Sequence, residues 1–295
     1  MTDSMPSPAA APQVQGFFDK ATNTVSYIVH DPATREAAIV DPVLDYTPRN
    51  GRTNTASADA LLEAVRDQGL DLRYLLETHA HADHLSASHY LREKTGAPVV
   101  IGAHIADVQA IFADLFEADD VARDGSAFDR LVEEGDVLPL GEFEIRILHT
   151  PGHTPACVSY SIGDAVFVGD TLFMPDYGTA RADFPGGNAA ALYRSIRKLL
   201  DLPAATRVFT GHDYPPASRG NPAWEASVAE HRRANIHVHD GIDEAAFVAM
   251  REARDATLEA PLLILPSLQV NIRAGQLPPA TSGGHVYLLI PVNAI

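Results

Sequence analysis

The chain has 295 residues, of which 46% are hydrophobic, and its 22 basic and 39 acidic side chains give a formal net charge of −17. This length suits one large globular domain or a domain with an appendage. The acidity argues against a general nucleic-acid-binding protein, because no basic cluster is denser than the pair Arg232 and Arg233. No apolar run is long enough to predict a membrane span.

Residues 1–13 are predicted to form a mobile tail, since they are rich in Ala, Pro and Ser and lack the basic and apolar segments of a secretory signal. The single cysteine, Cys157, excludes an intrachain disulfide framework and fits a reducing compartment. We therefore expect a cytoplasmic protein. Cys157 itself is expected to be a small buried side chain rather than a persulfide relay.

The pattern of apolar residues predicts both strands and helices in the chain. The predicted strands are residues 14–19, 24–30, 36–41, 72–77, 98–101, 143–149, 157–162, 165–168 and 207–210. The predicted helices are residues 57–69, 84–95, 104–116, 188–200 and 243–259, the last followed by a Pro-punctuated tail. Residues 45–57 and 112–134 are predicted to be surface loops, either of which could serve as a lid. Gly163-Asp164 is typical of a hairpin, which disfavours a doubly wound sheet.

The densest group of polar residues follows the strand predicted at 72–77. Residues 77–84 read Glu-Thr-His-Ala-His-Ala-Asp-His and bring together His79, His81, Asp83 and His84. Strand alternation would project His79 and His81 to the same side. Imidazoles and carboxylates this dense would be costly to desolvate without a cation between them. The cluster therefore predicts a metal site.

Three later strand ends each deliver another candidate ligand. His153 follows a strand in the segment His-Thr-Pro-Gly-His-Thr, where Gly152 permits a tight turn. Asp170 ends the segment Phe-Val-Gly-Asp, and His212 ends Phe-Thr-Gly-His. Taken singly, Asp170 could cap a turn and His212 could be a polar loop residue. Taken with the first cluster, they predict that four strand ends meet at one metal centre.

The order His-x-His-x-Asp-His, Gly-His, Gly-Asp, Gly-His resembles that of the metallo-β-lactamase superfamily over about residues 14–235. The resemblance implies an α+β four-layer αββα sandwich, with two mixed sheets face to face and the metal at one edge. It also implies a catalytic domain at residues 14–235, a C-terminal helix and extended tail at 236–295 packed on it, and a homodimer.

The seven candidate ligands can be arranged in two ways. In the first, His79, His81 and His153 would surround one metal, and Asp83, His84 and His212 would surround another. Asp170 would then bridge two metals that activate water for hydrolysis. In the second, His79, His153 and Asp170 alone would hold one metal, as in non-haem iron sites that use dioxygen. Counting ligands leaves both arrangements open.

Two further segments distinguish groups within the superfamily. Residues 178–184, Gly-Thr-Ala-Arg-Ala-Asp-Phe, resemble the Gly-x-x-Arg-x-Asp-Phe segment of the persulfide dioxygenases, and residues 212–214 resemble their His-Asp-Tyr segment. The glyoxalase II enzymes share the earlier motifs but typically carry aromatic residues after that arginine and a basic C-terminal helical domain, which the sequence does not reveal. Residues 167–173, Phe-Val-Gly-Asp-Thr-Leu-Phe, are close to the hydrolase version and keep that alternative open.

The resemblance implies an iron-dependent persulfide dioxygenase, which oxidises glutathione persulfide with O2 to sulfite and glutathione. One Fe(II) per chain would be held by His79, His153 and Asp170. Around it would lie the catalytic candidates His81, Asp83, His84 and His212. The alternative is a glyoxalase II-like hydroxyacylglutathione hydrolase, a thioester hydrolase with two Zn, Fe or Mn ions.

Glutathione carries two carboxylates, so a binding site for it requires hydrogen-bond donors. Arg181 could pair with one carboxylate or instead form a salt bridge with Asp183. Tyr214 is placed by sequence to donate a phenolic hydrogen bond, against the alternative of ordinary packing. Arg232 is a weaker candidate for substrate binding, because most surface arginines bind nothing in particular.

Overall fold

The computed structural model describes residues 11–294 of the chain, so most of the tail predicted at residues 1–13 lies outside the described part. The strands are β1 (Gln13–Asp19), β2 (Thr24–His30), β3 (Glu36–Val40), β4 (Val43–Thr47), β5 (Arg52–Asn54), β6 (Asp71–Leu76), β7 (Leu85–Ser86), β8 (Val99–Gly102), β9 (Arg130–Val132), β10 (Val137–Leu140), β11 (Phe143–His149), β12 (Val158–Ile162), β13 (Ala165–Phe167), β14 (Arg207–Phe209) and β15 (Glu225–Ser227). The helices are α1 (Ala56–Asp67), α2 (Ser88–Thr95), α3 (Ile105–Leu115), α4 (Ala189–Leu200), α5 (Val228–Ala234), α6 (Glu244–Asp255) and α7 (Ile264–Asn271).

Two six-stranded mixed sheets form the centre of the molecule. Their strand orders are β1-β2-β3-β6-β8-β9 and β10-β11-β12-β13-β14-β15. The first sheet is antiparallel from β1 to β3 and parallel from β3 to β9, whereas the second has one parallel pair, β13 with β14. A small sheet, β5-β4-β7, lies beside them.

The sheets pack face to face, and helices cover their outer surfaces. Strand alternation places Val29 in the core between the sheets and its neighbour Ile28 in the core beneath the helices. Residues of α1, α2 and α3 share that outer core with the first sheet, and residues of α4 and α6 pack on the second sheet. The predicted four-layer αββα sandwich is therefore confirmed.

Three predicted segments differ from the structure. Residues 45–57, predicted as a loop, contain most of β4, all of β5 and the start of α1. The helix predicted from residue 84 begins at Ser88, because Leu85 and Ser86 pair with β4 instead. The loop predicted at 112–134 begins inside α3, which ends at Leu115, and contains β9.

The C-terminal region contains a helix that the sequence did not predict. The helix predicted at residues 243–259 is α6, which begins after Asp243, whose side chain accepts a hydrogen bond from the Ala246 N–H. Beyond it, α7 buries Leu268 and Val270 in the same core as α1, α2 and α3. Within residues 11–294, none of the helices is long and apolar enough to cross a membrane.

Candidate metal centre

The ends of four strands deliver the seven predicted ligands to one place. The loop after β6 carries His79, His81, Asp83 and His84, the turn after β11 carries His153, a 3-10 turn after β13 carries Asp170, and the loop after β14 carries His212. All of these side chains are buried except that of Asp83, which is 22% exposed. The centroids of the His79 and His81 rings are 4.1 Å apart, as are those of His81 and His84. The structure thus brings together all seven candidate ligands that the sequence suggested.

Among the described residues, three groups of three side chains have the geometry to hold a metal ion, and two of them consist entirely of predicted ligands. In the first, formed by His79, His153 and Asp170, ligand atoms of all three residues lie within 4.8 Å of one another. Oδ2 of Asp170 lies 4.0 Å from Nε2 of His79 and 3.7 Å from Nε2 of His153. The rings of His79 and His153 meet edge to face, with centroids 5.1 Å apart. This is the two-histidine, one-carboxylate group predicted for a single metal.

The second group is formed by His81, Asp83 and His212, with ligand atoms again within 4.8 Å. Nε2 of His212 lies 3.2 Å from Oδ2 of Asp83 and 3.4 Å from Oδ1 of Asp170. Asp170 therefore stands between the two groups. His84 belongs to neither group, although its ring adjoins that of His81.

The unsatisfied polar atoms of the cluster fit a bound cation. Among residues 11–294, the buried atoms without a hydrogen-bond partner include Nε2 of His79, Nε2 of His84, Oδ2 of Asp83, Oδ1 of Asp170 and both ring nitrogens of His212. Leaving so many buried polar atoms unpaired would be costly, whereas a metal ion would accept their lone pairs. Imidazole nitrogens and carboxylate oxygens suit zinc, iron and manganese.

The protonation states of His79 and His84 agree with ligand roles. Burial and the neighbouring His81 lower the pKa of His79 well below its usual value. Burial likewise lowers the pKa of His84 to about 4. Both rings are therefore neutral at physiological pH, which is the form that binds metals. Burial, with a contribution from Asp83, raises the pKa of Asp170.

Asp41, which the sequence analysis did not single out, orients the first histidine. It follows β3, and its carboxylate accepts hydrogen bonds from the backbone N–H of Thr78 at 2.7 Å and from the Thr78 hydroxyl at 2.8 Å. Oγ1 of Thr78 lies 3.0 Å from Nδ1 of His79. A carboxylate at the end of a strand is the same signal that identified Asp170, and it would have identified Asp41.

His81 lies between two buried carboxylates. Its Nε2 is 3.0 Å from Oδ1 of Asp41 and 3.4 Å from Oε2 of Glu77. The other oxygen of Glu77 accepts hydrogen bonds from the hydroxyls of Ser86 and Ser88. Burial by itself would lower the pKa of His81, but Asp41 and Glu77 outweigh it and raise this pKa well above its usual value.

The turn that carries His153 requires a glycine. Gly152 has φ +140°, and a Cβ at this position would lie 2.3 Å from the backbone of Leu192 in α4. Nδ1 of His153 lies 2.8 Å from the carbonyl oxygen of Arg181. Because that oxygen can only accept, Nδ1 carries the proton and Nε2 offers its lone pair towards Asp170.

An open cleft of about 270 Å³ borders the first metal-binding group. The residues that line it are Ala82, Asp83, His153, Asp170, Phe173, Tyr177, Thr179, Ala180, Arg181, Tyr214, Arg251, Arg254, Leu258 and Pro261. Tyr214, a predicted substrate-binding residue, therefore lines the cleft, and its ring stacks on that of Tyr177 with the centroids 4.9 Å apart. Burial raises the pKa of Tyr214, so its hydroxyl stays protonated.

The two predicted arginines have different positions. Arg181 lines the cleft, but its guanidinium donates two hydrogen bonds to Asp183, at 2.6 and 2.7 Å, and a third to the carbonyl of Glu259. Of the two roles considered for Arg181, the structure therefore shows the salt bridge with Asp183. Arg232 does not reach the cleft, and its Nε lies 3.0 Å from Asp240 on the surface.

Helix α6 contributes cationic residues that the sequence analysis missed. Arg251 is buried and paired with Asp255. Arg254 is exposed at the cleft and makes no ion pair with any described residue. No local motif connects α6 with the ligands, since the two come together through tertiary packing, including that of α6 on α4.

Cys157 is buried, and its sulfur lies 3.1 Å from the Thr154 hydroxyl. Burial raises the pKa of the Cys157 thiol to about 12, so the thiol stays protonated.

Comparison with known proteins assigns the chain to a protein family. The model of the metallo-β-lactamase superfamily matches residues 20–212. The chain belongs to the metallo-β-lactamase superfamily. The His and Asp side chains at the strand ends are accordingly a metal-binding site of that fold.

Relatives within the metallo-β-lactamase superfamily have different names. The chain is 54% identical to a probable metallo-hydrolase of Burkholderia pseudomallei, over 96% of this chain and 99% of that protein. It is 45% identical to glyoxylase B2 of Dictyostelium discoideum, over 95% of this chain and 97% of the relative. It is 31% identical to the mitochondrial persulfide dioxygenase ETHE1 of Bos taurus, over 89% of both chains. Other relatives are longer, and the chain spans about 65% of their length.

A solved structure in the superfamily is that of ETHE1 from Myxococcus xanthus. It is similar to the chain with a TM-score of 0.72 and 34% identity, over 90% of this chain and all of that chain. The resemblance to the superfamily and its persulfide dioxygenase group is thereby confirmed.

Proposed function

We propose that the protein is an iron-dependent persulfide dioxygenase, which converts glutathione persulfide, O2 and water to sulfite and glutathione. The observation that carries this proposal is the convergence of His79, His153 and Asp170 beside an open cleft. Two histidines and one carboxylate on one face form the ligand set of non-haem Fe(II) sites that use dioxygen. The similarity to proteins named persulfide dioxygenase and ETHE1 supports the same reaction.

His79, His153 and Asp170 would hold one Fe(II) ion. When bound, the iron would supply open coordination positions for the persulfide sulfur and for O2, and it would relay the electrons that pass from the sulfur to O2. The chain determines how these reactants approach. Thr78 and the Arg181 carbonyl fix the ring orientations of His79 and His153. Fixed ligands hold the reacting atoms in a constant geometry.

The remaining side chains of the cluster would act around the iron. Asp83 and His212 lie side by side, with 3.2 Å between Oδ2 and Nε2. His81 is held in place by Asp41 and Glu77. His84 lies against His81 and has a free Nε2. These four residues would orient water and substrate.

The cleft suits an anionic thiol peptide. Arg254 offers a guanidinium that forms no ion pair with any described residue, and it can pair with a glutathione carboxylate. Tyr214 offers a protonated hydroxyl. Phe173 and Tyr177 form an aromatic wall that limits the access of water. Arg181 instead holds Asp183 and the Glu259 carbonyl, so it shapes the cleft.

A second candidate is a two-metal thioester hydrolase, the hydroxyacylglutathione hydrolase. The observation that favours it is the second group, His81, Asp83 and His212, which adjoins Asp170 and could hold another ion. The 45% identity to a protein named glyoxylase B2 points the same way. In this arrangement Asp170 would bridge two Zn, Fe or Mn ions that activate water for hydrolysis.

The deciding experiment is oxygen uptake by anaerobically iron-loaded protein on addition of glutathione persulfide. Metal content is determined on the same sample, and S-lactoylglutathione hydrolysis is assayed in parallel. Rapid uptake at about one iron per chain, abolished by a chelator, is the result we expect. Two metals per chain with thioester cleavage and no oxygen uptake would overturn the proposal.

A further inference from the structure

Helix α6 carries a buried ion pair beside the cleft. Oδ1 of Asp255 accepts hydrogen bonds from Nε of Arg251 at 2.9 Å and from its Nη2 at 2.6 Å. Arg251 is 1% exposed and Asp255 is 5% exposed. Taking two charges out of water costs free energy that their mutual attraction need not recover. Arg251 and Asp255 also form hydrogen bonds to the backbone, and these bonds indicate the role of the ion pair.

Both partners also bind the segment that holds His153. Nη1 of Arg251 donates to the carbonyl of Thr179 at 3.2 Å, and Oδ2 of Asp255 accepts from the backbone N–H of Ala182 at 2.9 Å. Between these two anchors lies Arg181, whose carbonyl oxygen is 2.8 Å from Nδ1 of His153. The ion pair therefore brackets the peptide group that orients this histidine.

The start of the same segment is held separately. The backbone N–H of Thr179 donates to Nδ1 of His237 at 3.1 Å, and Nδ2 of Asn235 donates to the carbonyl of Gly178 at 3.1 Å. Gly178 has φ +105°, and a Cβ there would lie 2.2 Å from the His237 ring. With the start fixed in this way, the anchors at Thr179 and Ala182 hold the backbone on either side of the Arg181 carbonyl. The Arg181 side chain is held by Asp183 and the Glu259 carbonyl.

We propose that Arg251 and Asp255 are positioning residues for His153, acting through the backbone of residues 179–182. The inference rests on the assignment of His153 as a metal ligand. The ion pair fixes the Arg181 carbonyl, the carbonyl holds the proton on Nδ1 of His153, and Nε2 is thereby aimed at the metal position. Partners of this kind typically change metal affinity 10- to 100-fold when they are removed.

The first test is Asp255→Asn, because Asp255 does not line the cleft. In Asp255, one carboxylate oxygen accepts from Arg251 and the other accepts from the Ala182 N–H. The asparagine amide has a single oxygen, so it loses one of these two contacts. We expect the Kd for Co(II), measured by chelator competition without substrate, to rise about 10- to 100-fold, and the visible spectrum of the bound cobalt to shift. The matched control is Glu244→Gln, which removes an exposed pair between α6 and Arg194 and should change neither quantity.

The double variant Arg251→Met with Asp255→Leu tests the inference without leaving a buried charge. Apolar replacement of a buried ion pair commonly preserves folding, yet both backbone anchors are lost. The same rise in Kd is expected in protein with an unchanged circular dichroism spectrum. A wild-type Kd and cobalt spectrum in either folded variant would overturn the inference, even if the Tm had fallen. Because metal affinity is independent of the reaction catalysed, this result stands apart from the oxygen-uptake test.

Discussion

Oδ1 of Asp41 lies 3.0 Å from Nε2 of His81. The same carboxylate binds the backbone N–H and the hydroxyl of Thr78, which in turn contacts His79. One buried acid therefore orients two neighbouring histidines of the centre. Burial would raise the pKa of Asp41, but His81 and the Thr78 hydrogen bonds lower it, so the carboxylate is ionised at neutral pH.

Asp41→Asn should weaken metal binding about 10- to 100-fold, because an amide can accept only through its single oxygen and would release either Thr78 or His81. Chelator competition with the purified variant gives the affinity. Asp71→Asn is the control, since Asp71 begins the adjacent strand β6 but its side chain is 64% exposed. Equal affinity in a folded Asp41→Asn protein would contradict this role.

Asp83→Ala should distinguish the two candidate reactions. Asp83 belongs to the second group and lies next to His212, but it is not part of the group formed with His153. A mononuclear dioxygenase should keep about one iron per chain in this variant, although turnover falls. Elemental analysis gives the metal content. If the wild-type protein holds two metals and the variant loses one together with all activity, the dinuclear hydrolase is the correct assignment.

Arg254→Ala should raise the KM for glutathione persulfide about tenfold with little change in kcat, because a charge-assisted hydrogen bond is worth about 1.5–3 kcal/mol and the exposed position reduces it. Steady-state oxygen uptake measures both constants. Arg232→Ala is the matched control, since Arg232 is paired with Asp240 away from the cleft. An equal KM in the two variants would remove Arg254 from the substrate site.

The sequence revealed the candidate ligands because they follow the ends of apolar strands and lie in short motifs. Local sequence patterns did not predict the role of Glu77 as a neighbour of His81. That role depends on tertiary packing, which places the hydroxyls of Ser86 and Ser88 against the Glu77 carboxylate. Arg254 was missed for a similar reason. Its position depends on how α6 packs against distant parts of the chain.

Helix α7 escaped prediction for a different reason. Its sequence, Ile-Leu-Pro-Ser-Leu-Gln-Val-Asn, has no polar face, and its last five residues are all buried. A helix buried on most sides gives no amphipathic signal, and Pro266 argues locally against a helix. Asn271 at its end nevertheless donates hydrogen bonds to the carbonyls of His81 and His84, at 2.8 and 2.7 Å. Tertiary packing of α7 thus stabilises the loop that carries His81 and His84, and local sequence patterns do not predict this contact.

The buried His231 of α5 should make the stability of the metal-free protein depend on pH. Its Nδ1 accepts a hydrogen bond from Nδ2 of Asn235, its Nε2 has no hydrogen-bond partner among the described residues, and burial lowers its pKa to about 4. Between pH 6.5 and 4 the unfolded chain binds this proton and the folded chain does not. The free energy of unfolding should therefore fall as the pH drops through that window, by on the order of 3 kcal/mol for this group.

Urea unfolding of wild type and of His231→Leu at several pH values isolates this contribution, because all other groups titrate in both proteins. The variant should be less dependent on pH between 6.5 and 4, so the stability difference between the two proteins should change steadily across that range. His285→Gln serves as the control, since the side chain is exposed in the C-terminal tail. Parallel stability curves for wild type and His231→Leu would show that His231 is protonated in the folded protein, which requires its ring to reach water.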